Sequence, residues 1–372
     1  MEQITMICPC HFGLESVLSG EVKRLGGQNV TVTDGRVAFD GDLELLVRAN
    51  LWLRTAERVL IRLGEFHATS FEQLFQGVKK LPLEQWIGAH DAFPVKGHSL
   101  NSQLHSIPDC QSIIKKAAVE RLKECYHVHW FEENEAVHQI QFSILKDVVT
   151  VMLDTSGPGL HKRGYRQNSN AAPIKETLAS GIIDLAHVKP FSTVYDPFCG
   201  SGTFLIESAT KALNIAPGIN RRFAAEKWKQ IPQKVWQEER TRALDLVRRD
   251  VEFRGYGLDI DPAAVELSTA NAKKAGVLPR LKFNQREIAD FSPVTDKGIV
   301  ICNPPYGERM LEIRQAEEIY RTMGKVFQMG NGIHYYIISP HEQFETIFGK
   351  KADKRRKLYN GMLKCQLYMY FK

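Results

Sequence analysis

Several kinds of motif are missing from this 372-residue chain. Its seven cysteines include no Cys-x-x-Cys pair, and Cys8 and Cys10 are too close together for an ordinary zinc knuckle. An odd number of scattered cysteines also argues against a disulfide framework. No apolar run approaches the roughly 20 residues of a membrane span, and the start Met1-Glu2-Gln3 lacks the basic and apolar segments of an export signal. We therefore expect a cytoplasmic protein with no metal site and no membrane partner.

A glycine-rich segment follows a short apolar strand at 192–195, and it lacks the signatures of two common nucleotide sites. Gly200 and Gly202 are not followed by the third glycine of the dinucleotide fingerprint, because Leu205 stands there. No Gly-Lys-Ser/Thr follows, so the triphosphate-binding loop is missing as well. Asp196 adds a negative charge at the mouth of the loop, which would repel a phosphate. The loop is either a plain β–α turn or a site that accepts a cationic ligand.

The next two strands end in acidic residues. Asp259 follows the second strand, where an acid can accept hydrogen bonds from ribose hydroxyls. Asp261 is expected to cap the helix that begins at Pro262. Glu287 follows a third strand and could accept a hydrogen bond from an adenine amino group, with Ile288 against the ring. Each acid taken singly is more often a helix cap or a surface charge than a ligand.

The tetrapeptide Asn303-Pro304-Pro305-Tyr306 follows an apolar strand at 298–302. The Asn303 side-chain oxygen can accept one N–H of an exocyclic amine, and a carbonyl beside the prolines can accept the other. The two prolines stiffen the loop and present no N–H of their own, while Tyr306 offers a ring on which a base can stack. Alone, the motif would be a tight Asn-Pro turn. After the glycine loop and the two acids, it predicts a site for a planar ring bearing an amino group.

Charge and pattern divide the chain. Residues 1–160 hold 15 Lys and Arg against 20 Asp and Glu, whereas residues 161–372 hold 34 against 23. A basic second half is expected if that half lies on a polyanion. The count does not support RNA binding by the first half, which offers only a local patch. That patch comprises Lys79, Lys80, Lys115, Lys116 and Arg121.

Apolar periodicity predicts α+β structure in the first half and a parallel sheet in the second. Residues 3–65 show a β-α-β-β-α-β order, and residues 66–154 end in a hairpin that should turn at Lys146-Asp147. Beyond a turn-rich linker at 155–159, strands and helices alternate as far as residue 348, which predicts right-handed crossovers. A final hairpin should turn at Asn360-Gly361. The irregular stretch 214–236 is equally well a substrate contact or a solvated insertion.

The order of strand ends resembles that of the class I S-adenosylmethionine-dependent methyltransferases, and the N-P-P-Y loop resembles their amino-methylating branch. Segments 160–166 and 172–179, the extended motif 303–309 and the tail 352–361 are similar to the large-subunit ribosomal RNA guanine-N2 methyltransferases in their single-methyltransferase form. The resemblance covers nearly the whole chain. It implies an α/β, Rossmann-like methyltransferase domain at 160–372, a THUMP RNA-binding module at 66–155 and a ferredoxin-like region at 1–65. Glu287 stands where that family usually has Asp, which leaves the adenine contact open.

The resemblance also implies a cofactor, a substrate and a set of site residues. The cofactor would be S-adenosyl-L-methionine, with segment Pro173 to Thr177 closing over its methionine end, and the substrate large-subunit ribosomal RNA or its precursor particle. The implied cofactor-binding residues are Pro173, Lys175, Glu176, Thr177, Asp196, Phe198, Cys199, Gly200, Ser201, Gly202, Thr203, Asp259, Ile260, Asp261, Glu287, Ile288 and Asn303. The implied catalytic residues are Asn303, Pro304, Pro305 and Tyr306. The basic residues expected to meet RNA are Lys162, Arg163, Arg166, Arg221 and Arg222.

Other functions remain open at this stage. N6-adenine methylation of DNA shares the N-P-P-Y chemistry, although no large target-recognition domain follows the motif. A transfer-RNA guanine-N2 methyltransferase is a second alternative, because THUMP modules also occur in transfer-RNA enzymes. A non-catalytic RNA-binding factor in ribosome assembly is a third. A nicotinamide oxidoreductase is disfavoured by the glycine spacing, and Cys199 is read as a small loop residue, since amine methylation needs no covalent enzyme intermediate. The oligomeric state is not predicted.

Overall fold

A computed structural model describes residues 3–166, 174–307, 310–330 and 332–371. The N-terminal half is α+β, as its alternating strands and amphipathic helices predict. Its strands are β1 (Ile4–Pro9), β2 (Gln28–Thr33), β3 (Arg36–Gly41), β4 (Leu60–His67), β5 (Val95–Leu100), β6 (Ile140–Leu145) and β7 (Val148–Asp154), and its helices are α1 (Glu15–Leu25), α2 (Leu43–Trp52), α3 (Phe71–Lys79) and α4 (Ile107–Tyr126).

Local chemistry accounts for where several of these elements begin and turn. Helix α2 starts after Asp42, whose carboxylate accepts a hydrogen bond from the Leu45 amide at 2.8 Å. The turn between β6 and β7 consists of Lys146 and Asp147, at φ +51° and +64°. Two consecutive left-handed residues suit the twist of a two-residue hairpin. The predicted turn is therefore confirmed.

One sheet of seven strands runs through the whole N-terminal half, in the order β2-β3-β1-β4-β7-β6-β5. Strand β4 pairs with β7 in antiparallel fashion, from Leu60 opposite Asp154 to His67 opposite Val148. The region predicted as ferredoxin-like and the one predicted as a THUMP module therefore share a sheet and a core.

The second half carries the predicted parallel sheet and terminal hairpin. Its strands are β8 (Thr193–Asp196), β9 (Arg254–Asp259), β10 (Leu281–Gln285), β11 (Gly298–Cys302), β12 (Ile333–Ser339), β13 (Lys354–Asn360) and β14 (Leu363–Tyr370), and its helices are α5 (Glu176–Leu185), α6 (Thr203–Ala212), α7 (Gln233–Asp245), α8 (Pro262–Lys274), α9 (Met310–Val326) and α10 (Phe344–Phe348). The strand order is β10-β9-β8-β11-β12-β14-β13. Strands β8 to β12 pair in parallel, so the loops after β8, β9, β10 and β11 leave the same edge.

The terminal hairpin turns one residue later than predicted. Asn360 still pairs with Leu363, so Gly361 and Met362 form the turn. Gly361 takes the left-handed conformation at φ +62°, which a glycine adopts without a Cβ penalty. The Asn-Gly pair therefore marked the hairpin correctly and its register wrongly.

The stretch 214–236 is not a solvated insertion, which was one of the two roles that its sequence suggested. Its Trp228 stacks on His138 of the N-terminal half at 4.3 Å and donates a hydrogen bond to the Val137 carbonyl at 3.0 Å. Phe223 and Trp236 stack on each other at 5.3 Å and belong to the same core cluster as the N-terminal half. This stretch joins the two halves through buried aromatic contacts.

His138 is fully buried, with its Nε2 3.1 Å from a carboxylate oxygen of Asp91. Within the described ranges, no group of three or more His, Cys, Asp or Glu side chains could hold a metal ion. Within the same ranges, no helix combines the length and the apolar character needed to cross a bilayer.

Candidate cofactor and base-binding site

Two glycines shape the loop between β8 and α6. Gly200 and Gly202 have φ of +49° and +80°, in the region that side chains other than glycine rarely adopt. A Cβ at Gly202 would also lie 3.1 Å from the Cβ of Ser268, on the neighbouring helix α8. The amide of Cys199 donates to the carbonyl of Leu258 at 2.9 Å, which ties this loop to β9. The loop is therefore held tightly against the second strand.

Asp259 organises the junction between the glycine loop and β9. Its carboxylate accepts the Gly200 amide at 2.9 Å and the Asp261 amide at 3.0 Å. Because a carboxylate offers about four lone-pair sites, it can still accept hydroxyl donors from a ligand. Asp261 caps α8 as predicted, accepting the Ala263 amide at 2.9 Å. That cap directs the Asp261 carboxylate to the helix end, and Asp261 does not line the cavity described below.

Asp196 is a buried carboxylate at the end of β8. Burial, opposed by a 3.1 Å hydrogen bond from the Phe198 amide and reinforced by the nearby Asp259 charge, raises the pKa of Asp196 to about 8. Burial likewise raises the pKa of the Cys199 and Cys302 thiols well above the ordinary value. Neither cysteine is an activated nucleophile. A cation beside Asp196 would stabilise its ionised form.

The N-P-P-Y loop is held from two sides. The Tyr320 hydroxyl on α9 donates to the Pro305 carbonyl at 2.9 Å. The Asn360 side-chain amide donates to the Tyr306 hydroxyl at 3.0 Å, from the hairpin 54 positions away. The Asn303 Oδ1 atom is buried and has no hydrogen-bond partner within the described part of the chain. Since buried acceptors are nearly always paired, Asn303 presents an acceptor ready for an incoming donor.

These loops enclose a cavity of about 720 Å³, a size typical of small-molecule sites. Six of the predicted cofactor residues line it, and they are Phe198, Asp259, Ile260, Glu287, Ile288 and Asn303. The loop prolines Pro197 and Pro305 line it as well. Helix α9 supplies a wall that sequence reasoning missed, with Gln315, Glu318, Ile319 and Thr322. The amphipathic pattern of 310–326 was the available signal, although it could not say which element the apolar face would meet.

The predicted residues around α5 lie elsewhere. Lys175 Nζ lies 3.1 Å from the carboxylate of Glu57 in the N-terminal half, and Thr177 donates its hydroxyl to the same carboxylate. Glu176 is buried and pairs with Arg166 at 3.3 Å. None of the three α5 residues lines the cavity, so in this structure they belong to the junction between the halves. Pro173 lies outside the described residues.

Ser201 and Thr203 are buried behind the glycine loop. Their hydroxyls lie 3.1 Å apart, and Arg166 donates to the Thr203 hydroxyl at 2.7 Å. Both residues therefore support the loop from inside the domain and do not line the cavity.

Two of the five arginine and lysine residues expected to meet RNA are buried, which corrects that prediction. The Arg221 guanidinium donates to four carbonyls of the linker region, including Gly159 at 2.8 Å. Arg163 donates to the Leu160 carbonyl at 2.6 Å and lies 3.7 Å from a carboxylate oxygen of Glu207. A guanidinium carries five donors, which suits it to a bend where several carbonyls lack partners. These two arginines hold the junction together.

The remaining basic residues divide by exposure. Arg166 is half-buried by its bonds to Thr203 and Glu176, whereas Lys162 is exposed. The Arg222 side chain is 88% exposed. Three basic side chains of the patch expected in the N-terminal half form ion pairs with carboxylates of that half. This pairing weakens the electrostatic attraction of the patch for phosphate. The pairs are Lys79 with Glu124, Lys115 with Glu133 and Arg121 with Glu84.

Comparison with known families assigns each part of the chain. Residues 163–369 match the RMKL-like methyltransferase domain, residues 68–154 the THUMP domain, and residues 5–60 the RlmL ferredoxin-like domain.

Two relatives of this chain have names that specify a substrate class. The Bacillus subtilis (strain 168) protein "Putative RNA methyltransferase YpsC" is 40% identical over 373 residues, which cover 100% of this chain and 97% of that protein. The "Ribosomal RNA large subunit methyltransferase K/L" of Psychromonas ingrahamii is 33% identical over 380 residues, which cover 99% of this chain and 50% of that protein. This chain thus spans about half the length of the K/L relative.

Two solved structures are similar over nearly their full length. SMU.472, "a putative methyltransferase complexed with SAH", has 40% identity and a TM-score of 0.94, covering 100% of this chain and 98% of that chain. A Listeria monocytogenes (str. 4b F2365) protein described as a "predicted N6-adenine-specific DNA methylase" has 43% identity and a TM-score of 0.94, covering 100% of this chain and 97% of that chain. The shared fold thus includes one protein crystallised with the demethylated form of the cofactor.

Proposed function

The chain belongs to the RMKL-like methyltransferase family, with S-adenosylmethionine as cofactor, and from that premise we propose that it methylates the N2 amino group of a guanine in large-subunit ribosomal RNA. The observation that carries the chemistry is the buried, unpartnered Asn303 Oδ1 within the described site, beside a rigid proline loop. Ribosomal RNA as substrate would place the activity in the cytoplasm.

The residues at and beside the cavity fit the parts of the cofactor. Asp196 does not line the cavity; it is buried at the end of β8, next to the lining residue Pro197, and from there it would hold the methionine ammonium. Asp259 would accept the ribose hydroxyls, as its position after β9 suggests. Ile288 and Phe198 would flank the adenine, whose amino group Glu287 would accept. When bound, S-adenosylmethionine supplies an electrophilic methyl group.

The N-P-P-Y loop would orient the nucleophile. A target base must first leave its stack, which costs a few kcal/mol and favours loops and unpaired sites. An exocyclic amine is a poor nucleophile because its lone pair is delocalised into the ring. If Asn303 Oδ1 and a loop carbonyl accept its two hydrogens, the nitrogen becomes more tetrahedral and its lone pair is directed. Pro305 O, which accepts from Tyr320, retains a second lone pair for this purpose.

Most of the rate enhancement would come from positioning. Holding reactants in a reactive geometry can supply roughly 7–11 kcal/mol of barrier reduction. Tyr320 and Asn360 contribute by fixing the loop from α9 and from the hairpin. No strong general base is required, since the proton can leave after transfer.

The hydrogen-bond acceptors of the N-P-P-Y loop do not by themselves distinguish the N2 amino group of guanine from the N6 amino group of adenine. The THUMP domain and the names of the K/L and YpsC relatives favour RNA. The description of the Listeria structure favours N6-adenine methylation as the second candidate. Digestion of the methylated polymer to nucleosides separates the two, because methylated RNA would yield N2-methylguanosine and methylated DNA would yield N6-methyl-2′-deoxyadenosine.

The test is transfer of labelled methyl from S-adenosylmethionine to ribosomal RNA, and to DNA in parallel. Asn303→Ala should lower kcat by roughly 10²-fold, as for loss of one oriented polar group, with cofactor affinity retained. Asn220→Ala, an exposed asparagine outside the site, serves as the control and should retain full turnover. Unchanged turnover in Asn303→Ala would remove the proposed role. N6-methyladenosine from RNA, or N6-methyl-2′-deoxyadenosine from DNA, as the product would replace the guanine assignment.

A further inference from the structure

A second cavity, of about 900 Å³, lies at the other edge of the methyltransferase sheet. The starts of β8, β11, β12 and β13, the end of β14 and the segment after α5 surround it. Because β8, β11 and β12 are parallel and four to seven residues long, their starts lie roughly 15–20 Å from the edge that carries the cofactor loops. This back cleft, defined by Lys189, Phe191, Lys297, Lys354 and Phe371, is separate from the methyl-transfer site.

The back cleft is lined by basic groups. Lys189, Lys297 and Lys354 are exposed, and none of the three forms an ion pair within the described residues. A fourth cation, Arg356, also lines the cleft, although its guanidinium donates to the Gly13 carbonyl at 2.7 Å and to the Ser16 hydroxyl at 2.9 Å. Unlike the three ion-paired cations of the N-terminal patch, the three lysines keep their charge available for a ligand.

Carboxylates are absent from the described lining of the back cleft and present only at its rim. The described lining residues include no Asp or Glu. The acids nearest in sequence, Asp296 and Asp353, lie outside the lining, and the Asp353 carboxylate accepts the Phe371 amide at 2.7 Å. An anionic ligand would therefore meet more cations than carboxylates in the back cleft, with Asp353 as the acid at its rim.

Aromatic rings stand among these cations. Phe191 is 71% exposed and Phe371 is 40% exposed, which is unusual for rings of this size. The Phe371 ring meets His334 edge-on at 6.5 Å. Ile299 and Tyr336 are buried and form the apolar floor. Exposed rings beside unpaired lysines are the two features that single-stranded nucleic acid requires, for its bases and its phosphates respectively.

We propose that the back cleft binds a single-stranded segment of the RNA whose guanine is methylated at the opposite edge. This inference rests on the proposed function for the identity of the RNA. An acidic peptide would satisfy the lysines and would leave Phe191 and Phe371 exposed, whereas RNA satisfies both. The separation between the two edges is short for a folded RNA, so one substrate molecule can occupy both.

The test measures binding of the full-length chain to a fluorescein-labelled, unstructured 12-nucleotide RNA, by anisotropy between 50 and 200 mM KCl. For single strands, each phosphate that the protein neutralises adds about 0.7 to the slope of log K against log salt. Lys189→Gln/Lys297→Gln/Lys354→Gln should therefore flatten that slope by about 2. Phe191→Ala should weaken binding by about 5- to 150-fold, the range for one stacked base, and Phe191→Trp should restore it.

The matched control is Lys227→Gln/Lys274→Gln/Lys282→Gln, which removes the same charge from three exposed lysines outside the back cleft. Its slope should stay within about 0.5 of the unmodified chain, as expected from weaker long-range attraction alone. Crosslinking with 4-thiouridine RNA should label the Phe191 and Phe371 segments. Equal slopes in the two triple variants, unchanged affinity in Phe191→Ala, or equal competition by polyglutamate would each overturn the proposal.

Measurements of turnover distinguish a failure of this inference from a failure of the proposed function. With long ribosomal RNA, the cleft triple variant should raise KM about 10-fold or more and leave kcat unchanged. With a short hairpin that carries only the target base, KM should not change. If the unmodified chain transfers no methyl to RNA, the proposed function fails, while the anisotropy and crosslinking still report on the cleft.

Discussion

Asp196 is the group through which pH should control cofactor binding. Its carboxyl is buried at the end of β8, and burial raises its pKa to about 8 in the ligand-free protein. Only the ionised form can pair with the methionine ammonium of S-adenosylmethionine. Binding should therefore release a proton from Asp196 at neutral pH, and affinity should rise with pH up to about 8.

The magnitude follows from the ionised fraction. With a pKa of about 8, about one Asp196 in a hundred is ionised at pH 6 and half are ionised at pH 8, which alone would raise affinity by about 50-fold. The cofactor's own α-amino group, with an ordinary pKa of about 7.7–8.0, is already about half deprotonated at pH 8. The net rise from pH 6 to pH 8 should therefore be about 20-fold, with a maximum near pH 8 and a fall above it. The neighbouring Cys199 and Cys302 thiols do not contribute, because burial raises the pKa of both well above the ordinary value. The neighbouring Asp259 carboxylate accepts the Gly200 and Asp261 amides.

Isothermal titration at pH 6, 7 and 8, in buffers of different ionisation enthalpy, measures both the affinity and the protons released. Asp196→Asn should bind more weakly and without this rise. 5′-Methylthioadenosine, which lacks the amino-acid end, should show no rise with the unmodified chain either. A flat profile for S-adenosylmethionine, or the same rise for methylthioadenosine, would refute the assignment of Asp196 to the ammonium.

Three further outcomes test other contacts. Asp259→Ala should weaken cofactor affinity by about 10- to 100-fold, because it removes a charge-assisted hydrogen bond of about 1.5–3 kcal/mol, and a calorimetric Kd equal to that of the unmodified chain would contradict the ribose role. Asn360→Ala and Tyr306→Phe each remove the same 3.0 Å hydrogen bond, so each should lower kcat by about 10-fold. The double variant should have the same kcat as either single variant. Additive losses of kcat in the double variant would argue against a shared positioning role. Arg221→Met should lower the free energy of unfolding in urea by about 3 kcal/mol or more, because it leaves several buried carbonyls without a hydrogen-bond donor. Replacing the exposed neighbour, Arg222→Met, should change it by less than about 0.5 kcal/mol. Similar urea midpoints for the two variants would contradict the structural role of Arg221.

The structural features that could be predicted from the sequence were those that depend on residues close together in the chain. Strand β11 ends where expected, at the residue before Asn303, and Asp261 caps α8 as its position before Pro262 indicated. The glycine loop turns through left-handed residues at Gly200 and Gly202. Each of these depends on backbone preferences or hydrogen bonds within a few residues, which a linear pattern records.

Features that depend on contacts between residues far apart in the chain could not be predicted from the sequence. Arg221 looked like an RNA contact because arginine is normally exposed, and its burial depends on a linker bend some 60 positions away. Asn360 was predicted to be a turn residue, whereas it ends β13 and its side chain bonds to Tyr306 in the loop after β11, 54 positions away. Trp228 gave no sign that it would stack on His138.

The sequence by itself determines the order of the strands and helices, the glycine-rich turn and the proline loop with its hydrogen-bond acceptors. These features depend on backbone propensities and short-range hydrogen bonds, which act between near neighbours in the chain. Folding in three dimensions decided which polar side chains stay free. It placed Asn303 Oδ1 at the cavity without a described partner, buried Asp196 enough to raise its pKa, and used the donors of Arg221 at the junction of the two halves. The physical reason is that burial and hydrogen-bond satisfaction depend on everything packed around a group, and most of those neighbours are remote along the chain.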